Sequence, residues 1–286
     1  MKAFRLGLGM VLAGMLLLGI SLAPASAEEL KMLTTQDKTG EAKKYRELID
    51  YLKNHGLDLS FEAAHDYVIA GEMFAKGGVD AMFSGSGIAG IMIIKDLADP
   101  LVRPVSKAGT STYWAVVVAK KGAPMFTGEA EYFQGKRVIL TSLASSGEIF
   151  LHSLPGAAEA AAEIKTALSH TAAIGALNMG LADVAIVKNR VWDVEKRKYP
   201  GLELVGQDKD ENPDGTLIVS KKMKPETKKK LESILIGLKN DSSAEGTAVK
   251  NALGIEGYII TTKDDFKHTL NILNRAGVTK DFDFEF

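Results

Sequence analysis

The chain contains no cysteine in 286 residues. That absence excludes disulfides, thiolate zinc sites and a cysteine nucleophile, and with them the lipid-bearing cysteine of a bacterial lipoprotein. A dominant charge of one sign is missing too, since 35 Lys+Arg stand against 36 Asp+Glu. A broad basic surface for nucleic acid is therefore not expected. Beyond Leu22 no apolar run approaches the roughly 18 residues that would suggest a membrane span. Catalytic signatures are absent as well. There is no Gly-x-Ser-x-Gly elbow, because Ser84 and Ala144 precede Ser86 and Ser146 by two positions. Ser-x-x-Lys, His-Glu-x-x-His and the Gly-x-x-x-x-Gly-Lys-Ser/Thr phosphate loop do not occur either.

What is present begins with an export signature. Lys2 and Arg5 precede an apolar stretch from Leu6 to Leu22, then Pro24 and the small-x-small site Ala25-Ser26-Ala27. A signal peptide spanning 1–27 and cleaved after Ala27 is expected; an uncleaved membrane anchor is the alternative. Cleavage leaves 259 residues, with 33 Lys+Arg against 36 Asp+Glu. Without disulfides, such a chain must be held by its apolar core, and its length suffices for one large or two smaller α/β units.

Strand-length apolar runs alternate with helical stretches. Strands are expected at 30–34, 57–61 and 79–84, with helices at 41–55, 66–76 and from the 84–87 loop to 95. This rhythm implies α/β architecture with mainly parallel sheets covered by helices. Further strands are expected at 113–119, 136–140, 183–187, 202–205 and 216–220, and helices at 145–153, 157–167, 172–179, 225–239 and 262–276. The lysines at 221, 222, 224, 228, 229 and 230 fit a solvated helix face backed by Leu231, Ile234, Leu235 and Leu238. Crossings near 109–113 and 212–216 divide the chain into one lobe of 28–112 plus 214–286 and another of 113–213. A cleft between the carboxyl ends of two such sheets is the expected ligand site.

Two strand-to-helix junctions concentrate hydroxyls. In Thr141-Ser142-Leu143-Ala144-Ser145-Ser146-Gly147-Glu148 a buried strand runs into a helix start. The free amides and positive dipole end there, with Ser145 and Ser146, could seat an anion. Equally, Ser145 with Glu148 three residues on matches a capping box. Ser84-Gly85-Ser86-Gly87 offers Ser84 and Ser86 in the same way, or serves as a plain turn.

The order of local patterns resembles the phosphonate/phosphite/phosphate-binding proteins of bacterial ABC importers, a branch of the two-lobed periplasmic binding proteins. The resemblance spans 28–286. It rests on Asp66-Tyr67, Gly78-Val79-Asp80-Ala81, Tyr113-Trp114, Gly135-Lys136, Ser145-Ser146-Gly147, Ser169-His170 and Gly180-Leu181-Ala182-Asp183-Val184-Ala185. It implies a type II periplasmic-binding-protein fold. It also implies a non-enzymatic, cofactor-free and monomeric chain, which captures a small oxyanion and delivers it to an inner-membrane permease. A sensor that signals to a membrane receptor is the second use of that fold. By matching position, the oxyanion would meet Ser145, Ser146, Tyr67, Tyr113 and His170, with Ala144 replacing one hydroxyl. Where amine-binding members carry a carboxylate, this chain has Lys188, which would repel an ammonium if it faces the cleft instead of solvent.

Overall fold

The computed structural model describes residues 29–35, 41–64, 67–141, 145–284 and 286. The expected signal peptide, Asp66 and the loop residues 142–144 lie outside the described residues. No described helix is long and apolar enough to cross a membrane.

In chain order the first sheet begins with β1 (Leu30–Thr35), α1 (Arg46–Asn54), β2 (Leu59–Ala64), α2 (Tyr67–Ala75), β3 (Ala81–Ser84), α3 (Ser86–Ile94) and β4 (Ala98–Ser106). A short β5 (Thr112–Tyr113) leads to β6 (Ala115–Lys120), β7 (Arg137–Thr141), α4 (Ser146–His152), α5 (Ala157–Ala160), β8 (Glu163–Ala167) and α6 (His170–Asn178). Then come β9 (Val184–Lys188), α7 (Asn189–Glu195), β10 (Leu202–Gln207) and the short β11 (Asn212–Pro213). The chain ends with β12 (Thr216–Ser220), α8 (Pro225–Gly237), α9 (Ala244–Leu253), β13 (Ile255–Ile260) and α10 (Lys267–Arg275).

Two mixed sheets result, ordered β13-β4-β12-β3-β1-β2 and β10-β6-β9-β7-β8, with a ribbon of β5 and β11 between them. In the five-stranded sheet only β6 runs against the rest. In the six-stranded sheet β12 and β13 do so. Each crossing therefore delivers a reversed strand, because a chain passing straight from one sheet into the other enters from the end its parallel neighbours leave. At the ribbon Asn212 pairs with Tyr113 and Pro213 with Thr112. The buried Thr269 hydroxyl donates to Asn212 Oδ1 at 2.7 Å, and the Asp214 amide donates to the Ser111 carbonyl at 3.1 Å.

Period-two alternation fills both faces of each sheet. Leu33, Met82 and Ile218 join the core under α2, α3 and α10, whereas Met32, Ala81, Leu217 and Val219 join the one under α1, α8 and α9. The other sheet likewise sends Val117, Val138 and Ile186 to one side and Val116, Val118, Ile139 and Val187 to the other. Strands buried on both faces read as unbroken apolar runs, which is why they are visible in the sequence.

One expected helix is corrected. Residues 157–167 are helical only through Ala160, and 163–167 form the edge strand β8, paired with β7. Alanine content suggested a helix, but β8 is largely exposed and carries Glu163, Lys165 and Thr166, as an edge strand must to avoid pairing with other chains. Strands β4 and β13 and helices α7 and α9 were not anticipated; Pro100 and Pro104 hid β4. The lysine-rich face of α8 is solvated, with Leu231, Leu235 and Leu238 buried beneath it.

Helix α3 crosses α10 at a glycine. A Cβ on Gly90 would come within 2.4 Å of Leu273 Cδ1 and 3.0 Å of Thr269 Cγ2. Gly90→Ala should therefore cost about 1–3 kcal/mol through overpacking. Urea unfolding with an unchanged slope and a lowered midpoint is the expected result, and an unmoved midpoint would contradict this packing.

Candidate functional site

A cleft of about 640 Å³ lies between the lobes. Its walls come from the ends of β1, β3, β4 and β13 on one side, and from α6, the end of β9 and α7 on the other. Among the expected site residues, Tyr67, Ser84, His170 and Lys188 line it. Tyr67 is the first residue of α2 and His170 the first of α6, so both stand at helix starts. Ser84 closes β3, and its hydroxyl donates to the Gly85 carbonyl at 3.2 Å.

The other four lie behind that wall. Ser86 and Tyr113 are both buried, and their hydroxyls are hydrogen-bonded to each other. Ser145 is the N-cap of α4: its hydroxyl donates to the Thr141 carbonyl at 2.6 Å and accepts the Glu148 amide at 3.2 Å. The capping alternative thus accounts for Ser145. Ser146 differs. It is buried, and its hydroxyl has no hydrogen-bond partner among the described residues. A buried unpaired hydroxyl costs about 1–3 kcal/mol, so the position has an unmet demand. Next to it, α4 packs directly on β9: a Cβ on Gly147 would sit 2.3 Å from the Ile186 carbonyl oxygen. Only glycine lets α4 lie that close to the strand leading to Lys188.

The electrostatic centre is a cluster that the sequence did not reveal. Asp214 stands just after the ribbon, its side chain only 9% exposed. Its Oδ1 accepts from Lys188 Nζ at 2.9 Å, and its Oδ2 is ion-paired with Arg190. Lys188 also lies 4.2 Å above the Tyr113 ring, a cation–π contact. Burial lowers the Arg190 pKa from its ordinary value, while Tyr113 opposes that shift. Arg190 and Asp214 line the cleft with Lys188, so two cations share one carboxylate, with Lys44 and Glu195 elsewhere on the same cleft. In the sequence Asp214 is part of an Asn-Pro-Asp-Gly turn cluster, and nothing there singles out Arg190. Only the return of the chain brings them together.

His170 sits within the same field. Its Nδ1 lies 3.4 Å from Thr141 Oγ1. Burial first, and the Lys188 charge second, push its pKa from 6.5 down to about 3. The folded protein therefore keeps His170 neutral where an unfolded chain would protonate it. Between pH 6.5 and about 3 the unfolded state binds the additional proton, so stability should fall as pH falls across that window. His170→Gln should flatten the decline in melting temperature between pH 6.5 and 4. An identical slope in the variant would contradict this placement.

These features frame the comparison with known proteins. The family model described as the ABC transporter, phosphonate, periplasmic substrate-binding protein matches residues 30–266. No curated protein matches the chain. Among solved structures, XAC2383 from Xanthomonas citri bound to ATP superimposes with a TM-score of 0.72 at 16% identity, over 87% of this chain and 98% of that one. PhnD1 from Prochlorococcus marinus, in complex with methylphosphonate, gives 0.69 at 16% identity over 87% and 98%. A binding-protein component of an ABC phosphonate transporter from Pseudomonas aeruginosa (PA3383) gives 0.68 at 15% over 86% of each. At such identities the structures show a shared two-lobed fold, and the family rests on the sequence model. With 30–266 matched, the chain belongs to the family of periplasmic substrate-binding proteins of ABC phosphonate transporters.

Proposed function

We propose that the protein captures a phosphate-like oxyanion lacking an amine (phosphate, phosphite or an alkylphosphonate) in this cleft and presents it to an inner-membrane ABC permease. The observation that carries the reading is the Lys188–Asp214–Arg190 cluster. An ammonium entering here would meet two cations, and the nearby carboxylate is already paired with both. An anion would instead share those two cations with Asp214 and meet the open demand of Ser146. Titration calorimetry should give weaker binding for 2-aminoethylphosphonate than for methylphosphonate by about tenfold or more, a difference of roughly 1.4 kcal/mol. Lys188→Met should weaken methylphosphonate binding by a similar factor. Tighter binding of the aminated ligand would overturn the reading.

The lobes divide at the ribbon, as 28–112 plus 214–286 and 113–213, and close about it when ligand is present. The wall residues Tyr67, Ser84, His170 and Lys188 would then meet the ligand, and closure would bring Ser145, Ser146, Ser86 and Tyr113 into support. Export follows cleavage after Ala27, and with no cysteine in the chain the mature protein is free of a lipid anchor. It acts as a monomer, without a cofactor and without turnover. Dehydrating the anion is costly, and donors from both lobes must replace its water. The same fold could signal to a membrane receptor, but the transporter family favours import.

A further inference from the structure

The cleft has far more room than a bare tetrahedral oxyanion uses. At about 640 Å³ it falls among sites that enclose organic ligands of roughly 300–1,000 Å³. Its two ends also differ in chemistry. The charged cluster and His170 occupy the wall from the 113–213 segment and the ribbon, whereas Tyr45, Phe83, Leu253 and Tyr258 line the opposite wall, together with Thr34, Thr35, Ser106 and Lys44, whose Nζ lies 5.5 Å over the Tyr45 ring. Three of these are aromatic and mutually packed, with ring centroids 5.1 Å apart for Tyr45 and Phe83 and 6.3 Å for Phe83 and Tyr258.

Two details make this more than core showing through. Tyr45 is only partly buried, and its ring borders the cleft. Tyr258 is 3% exposed and lines the cleft beside Tyr45 and Phe83. Burial, with the Tyr45 phenol adding to it, raises the Tyr258 pKa well above its ordinary value, so the group remains an O–H donor. All three rings stand on the six-stranded sheet or the segment just before α1, so closure of the lobes would not take this wall apart.

We propose that Tyr45, Phe83 and Tyr258 form a second subsite, taking an aromatic or similarly broad apolar substituent of an organophosphonate or phosphate monoester. The anionic head of that ligand lies by Lys188 and Arg190. The inference rests on anion capture in the same cleft, and it narrows the ligand from a bare oxyanion to one with an organic body. Offset or edge-on packing against the Tyr45 ring would supply the preference, beyond the apolar area removed from water.

The test is calorimetry on the mature protein, unfolded and refolded to strip any bound ligand, with inorganic phosphate, methylphosphonate and phenylphosphonate. Phenylphosphonate should bind about tenfold tighter than methylphosphonate or better. In Tyr45→Ala that ratio should drop below about threefold, and Tyr45→Leu, which keeps apolar bulk, should do the same if the alanine variant folds poorly. If the wild-type ratio is already near one while methylphosphonate binds, the subsite is overturned and anion capture stands. A tenfold preference that survives both substitutions also overturns the assignment of the wall. Binding of none of the three overturns anion capture and the subsite together.

Discussion

The chain passes between its two sheets twice, and the two passages pair with each other over only two residues each, Thr112–Tyr113 against Asn212–Pro213. Much else depends on that narrow ribbon. It makes β6 and β12 run against their parallel neighbours, so the ends of both sheets open onto one gap. It also sets Asp214 beside residues it could not otherwise meet, since Lys188 and Arg190 lie about 25 positions earlier, at the end of β9 and the start of α7. The cleft and its charge are thus consequences of one topological choice. A longer or unpaired connection would leave both lobes folded but their charges unregistered.

The charge arrangement suits reversible capture. Two free cations in a partly buried cleft would be costly to desolvate before any ligand arrived, and Asp214 offsets that cost. In the proposed reading an entering anion would share those two cations with Asp214. His170 contributes in the opposite way: held neutral by burial and by Lys188, it can donate or accept a hydrogen bond without adding charge. A site of this kind binds through hydrogen bonds tempered by modest charge. That combination lets a ligand be held and then released, which a fully cationic pocket would resist.

Much of the scaffold was legible because its strands are buried on both faces. Runs such as Ala115–Lys120 and Thr216–Ser220 have no polar interruption, and both appear where the apolar pattern placed them. Strands that lacked this pattern were missed: β8 lies at an exposed edge, and β4 carries two prolines. The site divides along the same line. Hydroxyls at strand-to-helix junctions are local features, so Ser84, Ser86 and the Ser145–Ser146 turn could be singled out from the sequence, whereas His170 was singled out only through the family resemblance. The Asp214 cluster and the Tyr45–Phe83–Tyr258 wall join residues more than twenty or two hundred positions apart, and no local pattern announces such meetings. Even the local reading needed the structure to separate Ser145, spent on capping, from Ser146, left unpaired.

Beyond the ribbon the lobes also touch through apolar packing. Ile149 of α4, 1% exposed, belongs to the core formed by α3, α10 and the C-terminal residues of the other lobe. Arg275 of α10 reaches Ser153 Oγ at 3.4 Å, and His152 stacks on Phe286 at 4.8 Å. Pulling the lobes apart here would expose Ile149 and unstack the ring, whereas rotation about the ribbon need not. Apolar contact is non-directional and tolerates small sliding, unlike the hydrogen-bonded ribbon, whose register permits none. The geometry therefore keeps α4 packed against α3 and α10. Gly147 adds to this: close seating of α4 on β9 fixes Ser146 relative to the strand that ends at Lys188.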